Sequence, residues 1–345
     1  MKFEITRASL RLARRVTTSR AVLHEREGLQ VTISGDGVSG RGETFPLPAF
    51  GTEPLGQAEA AIRAFAPQPF AAVEELTLAL APLEATPAAR FAVECALLEW
   101  LARRRGIPVA LLLGEGRADV AVNALIEGAD AASLADEAKR AVDAGFRTLK
   151  IKVGSKSVSV DAQRLHAVRL AVGAEVALRI DANGGWSEGT ARSTLRGLES
   201  LALELCEQPV AAHDVEALRR LAYLGPVPIA VDEGLADASL RARLLEADPR
   251  PAAHVLVLKP AVLGGLVPAL ALARAAAEVG VAAYVTTMLD GSIARAAATH
   301  LAAVLPAQTH AHGLSTVELF EGAGRDAFTP KGGVITLPDS AGWGV

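Results

Sequence analysis

Five apolar runs between residues 148 and 260 each end in a charged side chain, with helix-like segments between them. The runs are TLKIKVG, LRIDANGGW, LELCEQP, IAVDEG and LVLKP, carrying Lys150 and Lys152, then Asp181, Glu207, Asp232 and Lys259. Counted from Lys152, the spacings are 29, 26, 25 and 27 residues. Strands that are apolar on nearly every residue must be covered on both faces, and their alternation with helices implies a parallel sheet. A repeat this regular matches a barrel in which each βα unit delivers one charged group to the same C-terminal rim.

The alternation starts at VAVNALI (120–126) and continues to AAYVTT (282–287). Six to eight such units close into a barrel more readily than they stay an open sheet. A doubly wound sheet usually carries a Gly-rich phosphate turn, and no G-x-G-x-x-G or Walker string follows a strand within this alternation. Ahead of the repeat, residues 1 to about 50 read as short alternating strands with Gly and Asp turns. A Pro/Gly-rich loop (45–54) and helical segments at about 56–65 and 70–80 follow. A long amphipathic helix is expected over 86–106, with Thr86 as N-cap, Pro87 at the first helical position and Gly106 closing it. The expected organisation is an α+β capping domain over 1–100, completed by a C-terminal segment 317–345, and a (β/α) barrel over 101–316. Cap loops at about 17–25, with Arg20 in it, and 45–54 are expected to close over a substrate.

At 345 residues, half of them apolar, the chain can fill a barrel core plus an appendage. A net charge of −4 argues against nucleic acid or an anionic membrane as partner. Cys95 and Cys206 sit in apolar segments without metal or redox spacing, as buried free thiols do in a reducing compartment. The N-terminus lacks a signal-peptide core and no uncharged run could span a bilayer, so a cytoplasmic location is expected. Of 35 basic residues only seven are lysine, yet three of those seven end predicted strands. Arginine does not release its proton at working pH, whereas a partly desolvated lysine can. Strand-end lysines in an arginine-rich chain are therefore candidate bases.

Asp181, Glu207 and Asp232 would crowd one rim, where carboxylates repel unless a cation sits among them. Oxygen donors without Cys or His favour Mg²⁺, with Mn²⁺ as a substitute. Lys150 and Lys152 point to one face under period-two alternation. They are either a salt-bridged pair or a base beside an electrostatic partner for a substrate carboxylate. Lys259 would face Lys152 across the barrel. Asn183 shares a face with Asp181 and is either a turn residue or a substrate contact. Asp290 either pairs with Lys259 or caps a loop, and His310 and His312 stand too late in the chain for a first-strand metal pair.

As a set, K-x-K, D-x-N, E-Q-P, D-E and K-P resemble the enolase superfamily, in its muconate-lactonizing-enzyme branch. The resemblance implies a modified (β/α)7β barrel with an N-terminal cap. It also implies Mg²⁺ held by Asp181, Glu207 and Asp232, Lys152 and Lys259 flanking a small carboxylate substrate, and loss of the proton α to that carboxylate. Two further strings are similar to the o-succinylbenzoate synthase family: GRGETFPLPAFGTE (40–53), and HGLST (312–316) followed by ELF. They imply a syn dehydration in menaquinone biosynthesis, with Lys152 as base and then acid, Lys259 staying protonated, and Lys150, Asn183 and Gly313 on the substrate. Asp290-Gly291 stands where that family more often has ES, and Ala49 where it has Gly. The rivals are N-succinylamino acid racemisation or dipeptide epimerisation by the same lysine pair, and a metal-binding barrel without catalysis. HGLST lacks the D-x-D that dipeptide epimerases carry there.

Overall fold

The computed structural model describes residues 2–17, 22–66, 70–246, 250–306, 310–322 and 326–345; Arg20, with most of the first expected cap loop, lies outside them. Strands β1 (Lys2–Thr17), β2 (Val22–Gly35) and β3 (Val38–Thr44) form an antiparallel sheet. Asp36 and Gly37, at φ 53° and 77°, supply the two left-handed residues of the tight β2–β3 turn. The first two strands run for 16 and 14 residues, much longer than the apolar alternation suggests. Their polar outer halves carry no burial signal, yet backbone pairing runs from Lys2↔Ser34 to Arg11↔Glu25 and resumes, past a register shift, at Val16↔Leu23 and Thr17↔Val22.

Helix Pro87–Arg105 is buried at every position from Ala88 to Ala102. It is therefore a central helix enclosed on all sides, not the one-sided amphipathic helix expected. Strand β3 lies directly on it. A Cβ at Gly40 or Gly42 would come within 3 Å of the backbone of Ala92, Ala96 or Trp100, so only glycine fits. Thr86 stands at the N-cap position, but its hydroxyl donates to the Leu83 carbonyl at 3.2 Å. The free amides of Ala88 and Ala89 donate instead to the Glu53 carboxylate, at 3.0 and 2.7 Å. A carboxylate at a helix N-terminus also meets the positive end of the helix dipole.

After the short β4 (Asp119–Ala121), seven parallel strands follow one another around a ring. They are β5 (Ala124–Ile126), β6 (Thr148–Lys152), β7 (Ala177–Asp181), β8 (Leu205–Glu207), β9 (Ile229–Val231), β10 (Val255–Leu258) and β11 (Ala282–Val285). Parallel bridges Val122↔His312 and Thr286↔Gly313 place residues 312–313 between the two edge strands and close the barrel. Strand β12 (Val334–Thr336) pairs antiparallel with β4. The C-terminal stretch also reaches the cap, through a Leu12↔Phe320 bridge and a 2.9 Å bond from Trp343 Nε1 to the Arg41 carbonyl.

Alternate strand residues face opposite ways. Leu149, Ile151, Leu178, Ile180, Cys206, Ile229, Val231, Leu256 and Leu258 join the large core under the helices. Leu205, Ala230, Val255, Val257 and Tyr284 form a separate cluster inside the ring. By parity the inward set includes Lys150, Lys152, Arg179, Asp181, Glu207, Asp232 and Lys259. Cys95 and Cys206 are buried free thiols. Among the described residues no helix is long and apolar enough to cross a membrane.

Candidate active site

The barrel ladders fix where the inward charges stand. Lys152 pairs in register with Asp181, and Asp181 with Glu207, on three consecutive strands. Asp232 and Lys259 follow directly on β9 and β10. All five, with Lys150, Asn183 and Gly313, line one cavity of about 150 Å³. Leu47 and Phe50 from the cap, with Leu125, Met288, Leu289 and Leu319, supply an apolar part of the remaining wall, and polar side chains supply the rest. Every site residue read from the sequence therefore converges on one place.

Their pairing is uneven. Lys150 Nζ lies 2.6 Å from Glu207 Oε2 and 2.9 Å from Asp181 Oδ2. Lys259 Nζ pairs with Asp232 Oδ2 and stands 5.1 Å from the centroid of the Phe50 ring. The Lys152 ammonium makes no hydrogen bond or ion pair among the described residues, although its charge acts on Asp181. Burial works against both paired ammonium groups. The neighbouring carboxylates outweigh it, raising Lys259 and holding Lys150 well above the ordinary lysine value.

The carboxylates respond in opposite directions. Burial, then the charge of Asp181, pushes Glu207 up to about 7. Burial and Asp232 do the same to Glu233, also to about 7. Asp181 is pushed upward by burial too, but Lys150 outweighs this and holds it below the ordinary range. Asn183, at φ 45°, is both a turn residue and a cavity residue. Its amide N–H donates to Asp181 Oδ1 at 2.9 Å and its Nδ2 to Glu233 Oε1 at 3.3 Å. The other Glu233 oxygen is buried without a hydrogen-bond partner among the described residues.

By donor chemistry, Asp181, Glu207 and Asp232 could hold a hard divalent cation. As they stand, no three acid, His or Cys side chains among the described residues are grouped to ligate one. Lys150 and Lys259 already pair with the three acids, two positive charges against three negative. Those pairs leave one negative charge uncompensated, and Glu233 Oε2 has no hydrogen-bond partner among the described residues; both suit a cation.

Several supporting groups carried no isolated sequence signal. Gln208, in the EQP string, accepts from the Asp232 amide at 3.1 Å and donates to the Val210 carbonyl at 2.9 Å. The buried Arg26 guanidinium donates to the carbonyls of Phe45, Pro46 and Leu289, tying the cap loop to the loop bearing Met288. Tyr284 shares the inward parity of Thr286, a period-two signal that could have found it. Its hydroxyl donates to Glu207 Oε2 at 2.5 Å. Burial, then the charge of Glu207, holds that hydroxyl well above its ordinary value, so it remains a donor.

Asp290 proves to be a loop cap: its Oδ2 accepts from the Met288 amide at 2.9 Å, while Lys259 pairs with Asp232. A side chain at Gly291 would run into Glu43, which accounts for glycine there. His312 is buried and accepts from the Val285 amide at 3.0 Å; burial pulls it down to about 3, so it stays neutral. Neither His310 nor His312 lines the cavity.

A capped parallel barrel with acids and amines converging at the strand ends is the architecture of a large enzyme superfamily. Residues 133–345 match the enolase C-terminal domain-like family and residues 2–100 match the MenC N-terminal domain. The chain belongs to the enolase superfamily. It is 31% identical over 219 residues to the N-succinyl-L-Arg/Lys racemase of Bacillus cereus, covering 63% of this chain and 58% of that racemase. It is 27% identical to the L-Ala-D/L-Glu epimerase of Bacillus subtilis, covering 100% and 96% of the two chains. The substrate-liganded structure of that epimerase superposes with a TM-score of 0.91 at 26% identity, covering 100% and 98%. An Enterococcus faecalis dipeptide epimerase, complexed with Mg and the dipeptide L-Leu-L-Tyr, gives 0.88 at 25% identity, covering 99% and 98%.

Proposed function

We propose that the chain is an enzyme that removes the proton α to a substrate carboxylate, with Mg²⁺ held by Asp181, Glu207 and Asp232. We assign its reaction to o-succinylbenzoate synthase: dehydration of 2-succinyl-6-hydroxy-2,4-cyclohexadiene-1-carboxylate to 2-succinylbenzoate. The observation that carries the reading is the uneven pairing of the three lysines. Lys150 and Lys259 are tied to carboxylates, whereas the Lys152 Nζ, without an ion-pair partner among the described residues, is left to reach the substrate and serve as its base.

Lys152 takes the α-proton and returns it to the departing hydroxyl on the same face. Lys259 stays charged on the far side of the ring of strands, and Lys150 offsets charge on the acids. A positioned base supplies only about 10²–10⁴-fold, whereas enzymes commonly need ~10⁶-fold or more. When bound, the divalent cation supplies the remaining stabilisation of negative charge on the substrate carboxylate. Support for the dehydratase comes from the cap: residues 2–100 match the MenC N-terminal domain, and the same segment holds the PLPAFGTE string.

The second reading, N-succinylamino acid racemisation or dipeptide epimerisation, is favoured by the named relatives. Against a dipeptide, the 312–316 segment lends the cavity Gly313, Ser315 and Thr316 and no carboxylate for an ammonium group. Glu127, a wall carboxylate, is paired with Arg14. The deciding assay incubates the protein and Mg²⁺ with the cyclohexadiene substrate, and separately with N-succinyl amino acids in D₂O. Aromatic product without rapid α-exchange is expected. Rapid exchange of both enantiomers without aromatic product would assign the racemase instead.

A further inference from the structure

Inside the barrel, below the proposed metal site, a column of polar groups does nothing in the reaction as described above. Tyr284 is 1% exposed and projects into the ring, where its hydroxyl meets Glu207 Oε2 at 2.5 Å. The same oxygen receives Lys150 Nζ at 2.6 Å. Oε2 is thus saturated by two charge-assisted donors, and Oε1 takes no hydrogen bond among the described residues. A carboxylate left alone turns easily about its last torsion, which has broad, shallow wells. Two donors on one oxygen remove that freedom.

The ring of Tyr284 is itself held. The guanidinium carbon of Arg179 lies 4.6 Å from its centroid, in cation–π range. Arg179 is fully buried and cannot swing away. Its Nε and Nη2 donate to Glu204 at 2.5 and 3.2 Å, and its Nη1 to the Ala311 carbonyl at 2.6 Å. A guanidinium forked onto a carboxylate is among the stiffest supports a side chain can offer. A buried arginine and tyrosine in a barrel interior otherwise lined by Leu205, Ala230, Val255 and Val257 are costly to place there without a purpose.

We infer that Tyr284, seated on Arg179, is a positioning residue that fixes Glu207 so that its Oε1 faces the proposed divalent cation. This rests on the reading of Asp181, Glu207 and Asp232 as metal ligands. Hydrogen-bond partners of ligating carboxylates typically change metal affinity by about 10–100-fold when removed.

The test uses the full chain and Mg²⁺ alone. Calorimetry on Tyr284→Phe, which keeps the ring and deletes only the hydroxyl, is expected to show Mg²⁺ affinity weakened about 10–100-fold. Saturating Mg²⁺ should largely restore kcat, which a general loss of structure would not allow. The chain has only two tyrosines, and Tyr223 is 55% exposed, so labelling with 3-fluorotyrosine gives one buried and one surface ¹⁹F resonance. Tyr223→Phe assigns them. The buried resonance should shift saturably along the calorimetric Mg²⁺ isotherm while the surface resonance stays put. This readout serves even if Tyr284→Phe does not fold. Unchanged affinity in Tyr284→Phe, or a buried resonance indifferent to bound Mg²⁺, overturns the inference and leaves the metal reading standing. Failure of the unsubstituted protein to bind Mg²⁺ at all overturns both.

Discussion

Lys152 stands directly across the β6–β7 ladder from Asp181, yet the ammonium that pairs with Asp181 belongs to Lys150, two residues earlier. That offset divides the labour between two lysines on one strand face. Lys150 bridges Asp181 and Glu207, and Lys152 stays free beside the substrate cavity.

Lys152→Ala should therefore separate activity from stability. Proton abstraction falls by at least about 10²–10⁴-fold. No ion pair is lost, so unfolding free energy changes by less than about 1 kcal/mol. Turnover and urea denaturation on the same preparation check this. Retained turnover would sink the assignment of the base.

Chelation should abolish turnover without unfolding the protein. Each of the three acids already pairs with Lys150 or Lys259, so the metal-free chain keeps its carboxylates tied in place. Added Mg²⁺ should restore activity and raise the melting midpoint, adding about 2.7 kcal/mol at 100 times its Kd. Loss of near-UV circular dichroism on adding EDTA would contradict this.

Glu43 of the cap predicts a pH effect away from the catalytic centre. Burial pushes its carboxyl up to about 7, against an ordinary value of 4.5, although the Ala294 amide donates to it at 2.9 Å. The nearby Asp290 adds to the upward push. The folded state thus holds a proton that the unfolded chain has already released between about 4.5 and 7. Stability falls as pH rises through that window, by roughly 3 kcal/mol at most. Glu43→Gln keeps an acceptor for Ala294 and removes the titration. Subtracting its pH–stability curve from that of the unsubstituted protein should leave this slope, and a flat difference counts against the effect.

The two candidate caps of helix Pro87–Arg105 can be told apart by mutation. Glu53→Ala strands the amides of Ala88 and Ala89 and should cost about 1–2 kcal/mol. Thr86→Ala removes only a bond to the Leu83 carbonyl and should cost clearly less. The reverse ranking in equilibrium unfolding would restore Thr86 as the cap.

The sequence displayed the barrel because each buried strand alternates with a helix, and the central site because strand-end charges recur at nearly constant spacing. Residues whose role depends on contacts across the fold were not visible. Glu53 caps a helix whose first residue is 34 positions further on, and Arg26 joins loops near 45 and 289. Tyr284 and Arg179 meet only because their strands lie across a closed ring. The cap strands look short in sequence because polar ladder residues have no apolar periodicity to announce them. Helix Pro87–Arg105 looks partly solvent-facing in sequence because Arg90, Glu94 and Glu99 are charged, and only their partners across the fold show that they are buried.

Where Gly40 and Gly42 meet helix Pro87–Arg105, no side chain separates the two backbones. Such a seam has no thickness to adjust, so the lid over the cavity cannot be retuned by resizing residues along this contact. New substrate preferences must arise instead at the loop tips, through Leu47, Phe50, Met288 and Leu289. A chimera that grafts another β3 strand onto helix Pro87–Arg105 should accordingly fold only if it carries two glycines in the same register.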